Sequence, residues 1–156
     1  LLKDLIKMNG RKTTIDFAAE KQLTLIQIMG TWCPNCLDET KLLQELQSEY
    51  GSKGLRVVAL AFEVGADTKK QRARLKNWMK SMNVTYPVYL AGTSSKDEAS
   101  ARFPMLNGIM SFPTALLVDH QGKIIAIHTG FSGPATGEAY IELVKKYKQE
   151  IENALE

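Results

Sequence analysis

Cysteine is scarce in this sequence: two occur in 156 residues, and they stand three positions apart as Cys33 and Cys36. Two thiols so close together exclude a disulfide framework, and at this length none is needed. A single domain of this size, taken here as residues 1–156, buries roughly two-thirds of its unfolded surface on folding. Histidine is equally sparse, with only His120 and His128. A zinc site would therefore lack the second cysteine pair that such sites commonly use, and no metal is expected. No apolar run approaches the ~20 residues of a membrane-spanning helix, and no secretory leader pattern follows Leu1. The chain starts without Met, as a trimmed or mature fragment would, and a removed export signal or anchor would leave no trace. The net charge of +3 is too small to point to nucleic acid or a membrane surface. What remains is the composition of an ordinary soluble globular protein, with its two thiols concentrated at one place.

Hydrophobic periodicity divides the chain into alternating elements. Residues 5–15 read as a small hairpin turning at Asn9-Gly10. Leu23–Met29 is a nearly continuous apolar run, the pattern of a strand covered on both faces. A helix is predicted from Pro34 to about Tyr50, with proline at its first position and glycines at 51 and 54 ending it. Leu55–Phe62 reads as the next central strand. Residues 68–82 form a second helical pattern, with Leu75, Trp78, Met79 and Met82 on one face. A short strand is expected at Pro87–Leu90. Ser95 and Glu98 form a capping box for a helix that must end before Pro104. Thr114–Val118 and Lys123–His128 make a hairpin, and a last helix from about Glu138 presents Val144, Tyr147, Ile151 and Ala154. Together these predict an α/β fold: a central mixed sheet with helices on both faces.

The chemistry is placed where a buried strand hands over to a helix, at Thr31-Trp32-Cys33-Pro34-Asn35-Cys36. Disulfide exchange needs a thiolate to attack and a second thiol near enough to resolve the mixed disulfide. Residues three apart at a helix start face the same side. Cys33 lies beside the unpaired N–H groups of the first turn, where the dipole favours an anion, so its pKa is expected below the usual value of about 8.5. It is the candidate nucleophile, accessible to substrate, and Cys36 the shielded resolving thiol. Continuing inward from Cys36, Glu39, Leu43, Leu46 and Tyr50 share one stripe. A carboxylate there is either buried with a raised pKa, able to exchange a proton with Cys36, or bent into solvent at the stripe's edge. Asp38 is rotated off the stripe and reads as a surface charge. Both histidines fall on or beside the late hairpin turn and read as solvated.

The Trp-Cys-Pro-x-Cys start, the later Ser111-Phe112-Pro113-Thr114 and Gly130 after the hairpin resemble a thioredoxin. More narrowly, the pattern over about residues 5–155 resembles the TlpA/ResA-like thioredoxins, often tethered in the bacterial cell envelope. The resemblance implies a thioredoxin-like fold and a thiol–disulfide oxidoreductase. It also implies a cis-proline at Pro113 beside the disulfide, and a functional glutamate at the offset of Glu39. Trp32, Pro34, Phe112 and Pro113 are then the candidate substrate-binding residues. Protein thiols or disulfides are the expected substrates, with a redox protein as electron donor or acceptor. No cofactor is expected, the place of action is the periplasm or its equivalent, and a membrane tether could lie outside this chain.

Two departures from that pattern stand out. Thioredoxins carry an acidic residue six positions before the first cysteine, where this chain has Gln27. The residue before the cis-proline is usually small or aliphatic, whereas Phe112 is bulky. With Met110, Trp32 and Phe131 it would build a broad apolar rim, unless some of these aromatics belong to the core. Lys69-Lys70-Gln71-Arg72-Ala73-Arg74 reads as the wet face of its helix, as do Lys145, Lys146 and Lys148, and no nucleic-acid motif accompanies them.

Two other functions fit the same scaffold. A thiol peroxidase would use Cys33 against a hydroperoxide, but Ile26 and Gly30 stand where peroxiredoxins have Pro and Thr. A non-catalytic binding module would not require an intact Cys-x-x-Cys. The central Pro34-Asn35 is neither the Gly-Pro of thioredoxins nor the Pro-His of strong oxidants. The interval from roughly −270 to −120 mV, about 7 kcal/mol, is left open by sequence.

Overall fold

The computed structural model describes residues 1–19, 22–106 and 111–156. Strands β1 (Leu2–Ile6) and β2 (Lys12–Ile15) form the expected hairpin, which begins three residues earlier than predicted. Gly10, with φ +89°, supplies the left-handed turn residue that Asn9-Gly10 foreshadows. The fully buried strand β3 (Leu23–Met29) runs into helix α1 (Pro34–Tyr50), and both have the bounds read from sequence. Strand β4 (Leu55–Glu63) follows, then helix α2 (Thr68–Met82) and strand β5 (Val88–Thr93), the last reaching three residues past its predicted end. Helix α3 (Lys96–Arg102) starts where Ser95 accepts a hydrogen bond from the Glu98 backbone N–H at 3.4 Å. Strands β6 (Thr114–Val118) and β7 (Ile124–Thr129) and helix α4 (Glu138–Leu155) complete the order.

The seven strands form one sheet in the order β2-β1-β5-β4-β3-β6-β7. Strands β3, β4 and β5 are parallel, and β6 runs antiparallel to β3 with Gln27 opposite Ala115. The parallel steps β3-α1-β4 and β4-α2-β5 move across the sheet in one direction, so right-handed crossovers place α1 and α2 on the same face. There Leu42, Leu43 and Leu46 of α1, Leu75 and Trp78 of α2, and Tyr147 and Ile151 of α4 share a core with Leu23, Leu25, Val57 and Leu117. The opposite core is built on Ile26, Ile28, Val58, Leu60 and Leu116, covered by Ala99 of α3 with Phe17 and Phe103. Strict alternation along β3 explains the division, since Leu25 and Met29 point one way and Ile26 and Ile28 the other. Among the described residues helices lie on both faces, three against one.

Candidate active site

Cys33 and Cys36 sit at the head of α1 and are joined by a disulfide, with Cα atoms 5.3 Å apart. Cys33 is the N-cap residue of the helix, and its sulfur accepts a hydrogen bond from the Cys36 backbone N–H at 3.3 Å. One first-turn N–H, that of Cys36, is thus directed at the Cys33 sulfur at the positive end of the helix, an arrangement that favours a negative sulfur. Pro34 occupies the first turn, where its missing N–H costs nothing. Cys33 keeps 4% exposure and Cys36 none. Both are buried in the disulfide form, Cys33 slightly less so. Cys33 is nevertheless far less open than expected, because its sulfur is tucked onto the helix end.

The loop ahead of the pair is held from β4. Glu63, at the end of that strand, is fully buried and accepts from the Thr31 N–H at 2.7 Å and from the Thr31 hydroxyl. Arg74 Nε of α2 lies 3.7 Å from the same carboxylate. Trp32 Nε1 donates to the Phe62 carbonyl at 2.8 Å. Gly30 is required by this loop, since a Cβ there would sit 2.1 Å from Trp32 Nε1. Sequence reading missed the clamp, although a charge ending the apolar run of β4 was a visible signal. It also missed that Gln71, set within the basic stretch of α2, is buried and donates to the Glu63 and Gly65 carbonyls.

Beneath the pair, Glu39 has no exposed surface. The inward stripe is real, and the alternative of a solvent-bent carboxylate is overturned. Tyr147 of α4 donates its hydroxyl to Glu39 Oε2 at 3.1 Å, while Oε1 has no hydrogen-bond partner among the described residues. Burial pushes the Glu39 carboxyl up to about 8, against the lowering pull of the Tyr147 hydroxyl and the nearby Gln27 amide. The Gln27 amide nitrogen donates to Cys36 O at 3.2 Å and to Thr40 Oγ1 at 3.1 Å. Tyr86 donates to Gln27 Oε1 at 3.4 Å. The neutral residue at position 27 thus fastens α1 to β3 instead of ionising.

The apolar rim is narrower than predicted. Trp32 is 41% exposed and its ring lies 5.1 Å from that of the half-buried Phe112. The Phe112–Pro113 peptide bond is cis, and Pro113 is buried. Phe131 leaves the rim: it belongs to the core and packs edge-on against Tyr140. Met110 lies outside the described residues. Asp38 is half-buried beside Gly133 and is not a purely surface charge. His128 corrects the expectation of a solvated ring. It is 9% exposed, its Nε2 is 2.7 Å from Glu150 Oε2, and its ring centroid is 4.4 Å from that of Tyr147. A β7 position whose side chain faces α4 is covered by that helix however close it stands to a turn. No cluster of three or more metal-ligating side chains occurs among the described residues.

This sheet, with a cysteine pair capping the helix after its central strand, defines a thioredoxin-like fold. The chain matches the Redoxin family over residues 3–141 and belongs to it. It is 29% identical over 123 residues to the thioredoxin-like protein YneN of Bacillus subtilis, covering 79% of this chain and 65% of YneN. It is 27% identical over 140 residues to the thiol-disulfide oxidoreductase ResA of Bacillus thuringiensis, covering 89% of this chain and 70% of that protein. Among solved structures, a Chlorobium tepidum protein carrying the name thiol:disulfide interchange protein DsbE superposes with a TM-score of 0.67 at 24% identity, over 99% of this chain and 96% of that one.

Proposed function

We propose that residues 1–156 act as one domain that exchanges electrons with protein disulfides through Cys33 and Cys36. The observation that supports this most directly is the helix cap: the Cys33 sulfur receives the Cys36 N–H, and only Cys33 retains contact with solvent. In the reduced protein the Cys33 thiolate attacks a substrate disulfide, forming a mixed disulfide and releasing one substrate thiolate. Cys36 gives its proton to Glu39 and attacks the Cys33 sulfur. The second substrate thiolate leaves, and the Cys33–Cys36 disulfide forms. Two electrons have passed to the substrate, and a dithiol redox protein returns them. Glu39 suits the proton transfer because a carboxyl pushed up to about 8 can both take and return a proton near neutrality. In this reading Trp32, Pro34, Phe112 and Pro113 contact the substrate chain. Resemblance to the TlpA/ResA-like thioredoxins supports the reductase direction and a site of action in the bacterial cell envelope.

The test is a trapping experiment with insulin as the disulfide substrate. Reduced protein should cleave insulin disulfides catalytically, and Cys36→Ser should accumulate a mixed disulfide through Cys33. Cys33→Ser should do neither. Absence of both turnover and adduct would remove the reading, and a titration against glutathione fixes the direction.

A further inference from the structure

The carboxyl of Glu39 is asymmetric in its surroundings. Oε2 is bonded to the Tyr147 hydroxyl at 3.1 Å, whereas buried Oε1 has no partner among the described residues. Tyr147 is itself 2% exposed, and burial together with the neighbouring Glu39 pushes its hydroxyl far above the usual range, so it keeps its proton. A neutral Glu39 has two arrangements. If its proton sat on Oε2 and pointed at the tyrosine oxygen, the tyrosine hydrogen and Oε1 would both be left unmet. If the tyrosine donates to Oε2 and the proton sits on Oε1, only one group is unmet. Buried polar groups favour the arrangement that strands fewer of them.

We propose that Tyr147 is a positioning residue that assigns different tasks to the two oxygens of Glu39: Oε2 is anchored to α4, and Oε1 carries the exchangeable proton. The inference deepens the proposed role of Glu39 and rests on it. Gln27 of β3, Tyr86 of the segment before β5 and Tyr147 of α4 interact with this carboxyl, and Cys36 and Thr40 belong to its own helix. Gln27 donates to Cys36 O and Thr40, and Tyr86 to Gln27, while Tyr147 donates to Glu39 Oε2. Behind the tyrosine ring, His128 of β7 is locked to Glu150 of α4, which seats the ring. That His–Glu pair is part of the same device.

The experiment follows the Glu39 carboxyl by carbon NMR in the full chain labelled at glutamate, with Glu39→Gln identifying its signal. Tyr147→Phe keeps the ring against His128 and removes the hydroxyl. Losing a hydrogen bond to the charged form should raise the Glu39 titration midpoint by about one pH unit. The pH profile of mixed-disulfide resolution should move the same way. Tyr86→Phe, which removes a hydroxyl that donates to Gln27 and not to Glu39, should displace the midpoint less. An unmoved midpoint in Tyr147→Phe, or an equal displacement in Tyr86→Phe, would overturn the inference. A displaced midpoint with an unmoved resolution profile would uphold the anchoring by Tyr147 and remove Glu39 from the chemistry of Cys36.

Discussion

Glu63 and Thr31, on different elements and 32 residues apart in sequence, are joined twice: the buried carboxylate accepts from both the backbone N–H and the hydroxyl of Thr31. Through this pair the end of β4 determines where the loop before Cys33 lies. Removing the carboxylate with Glu63→Ala leaves a backbone donor without its partner, which costs about 1–3 kcal/mol. Arg74 is 46% exposed and can turn to water, so it adds little to that loss. Urea denaturation should show the destabilisation, and insulin reduction should slow beyond what the lost stability explains. A wild-type midpoint would mean that the loop holds itself.

Gly30→Ala tests the same loop by steric means. The added methyl would meet Trp32 Nε1 at 2.1 Å, so the indole must move and its hydrogen bond to Phe62 O must break. Tryptophan fluorescence should change against the constant background of Trp78, which lies in the core between α2 and the sheet. Substrate affinity should fall with it, because Trp32 and Phe112 form one edge-to-face pair. An unaltered spectrum would show that the loop has room for a side chain at position 30.

Glu39 ties stability to pH. Its carboxyl is raised from the ordinary 4.5 to about 8 in the oxidised fold. Between those values the folded chain holds a proton that the unfolded chain has released. The contribution of this group is therefore whole below the unfolded value and is lost as pH rises through the folded one. The slope reaches at most about 1.4 kcal/mol per pH unit. Glu39→Gln removes that slope while keeping the shape. In urea titrations of the disulfide form, the variant should gain on the wild type steadily between the two values. Parallel curves for the two proteins would show that the carboxyl is not held neutral.

Most elements were legible because their signals are local. The apolar run of β3, the proline at the start of α1 and the stripe Leu75–Trp78 on α2 each follow from a few consecutive residues, and the helix bounds 34–50 and 68–82 matched. The Cys33–Cys36 pair was legible for the same reason, as was Glu39 on the inward face. That some of the rim aromatics belong to the core was legible, but which of them was not. The packing of the tertiary core, including Tyr140 of α4, places Phe131 inside while Trp32 stays exposed.

By itself, then, the sequence determined where strands and helices form, which thiols can pair, and that a carboxylate follows Cys36 on its buried side. These depend on spacing along a single element. Tertiary structure alone decided what surrounds that carboxylate: Tyr147 arrives from 108 residues away, and Gln27 is turned from a missing acid into a fastener of α1. It also buried His128 and locked Thr31 to Glu63. Proton affinity and loop position depend on desolvation and on partners brought from distant strands and helices, and chain folding supplies both only after the elements have packed.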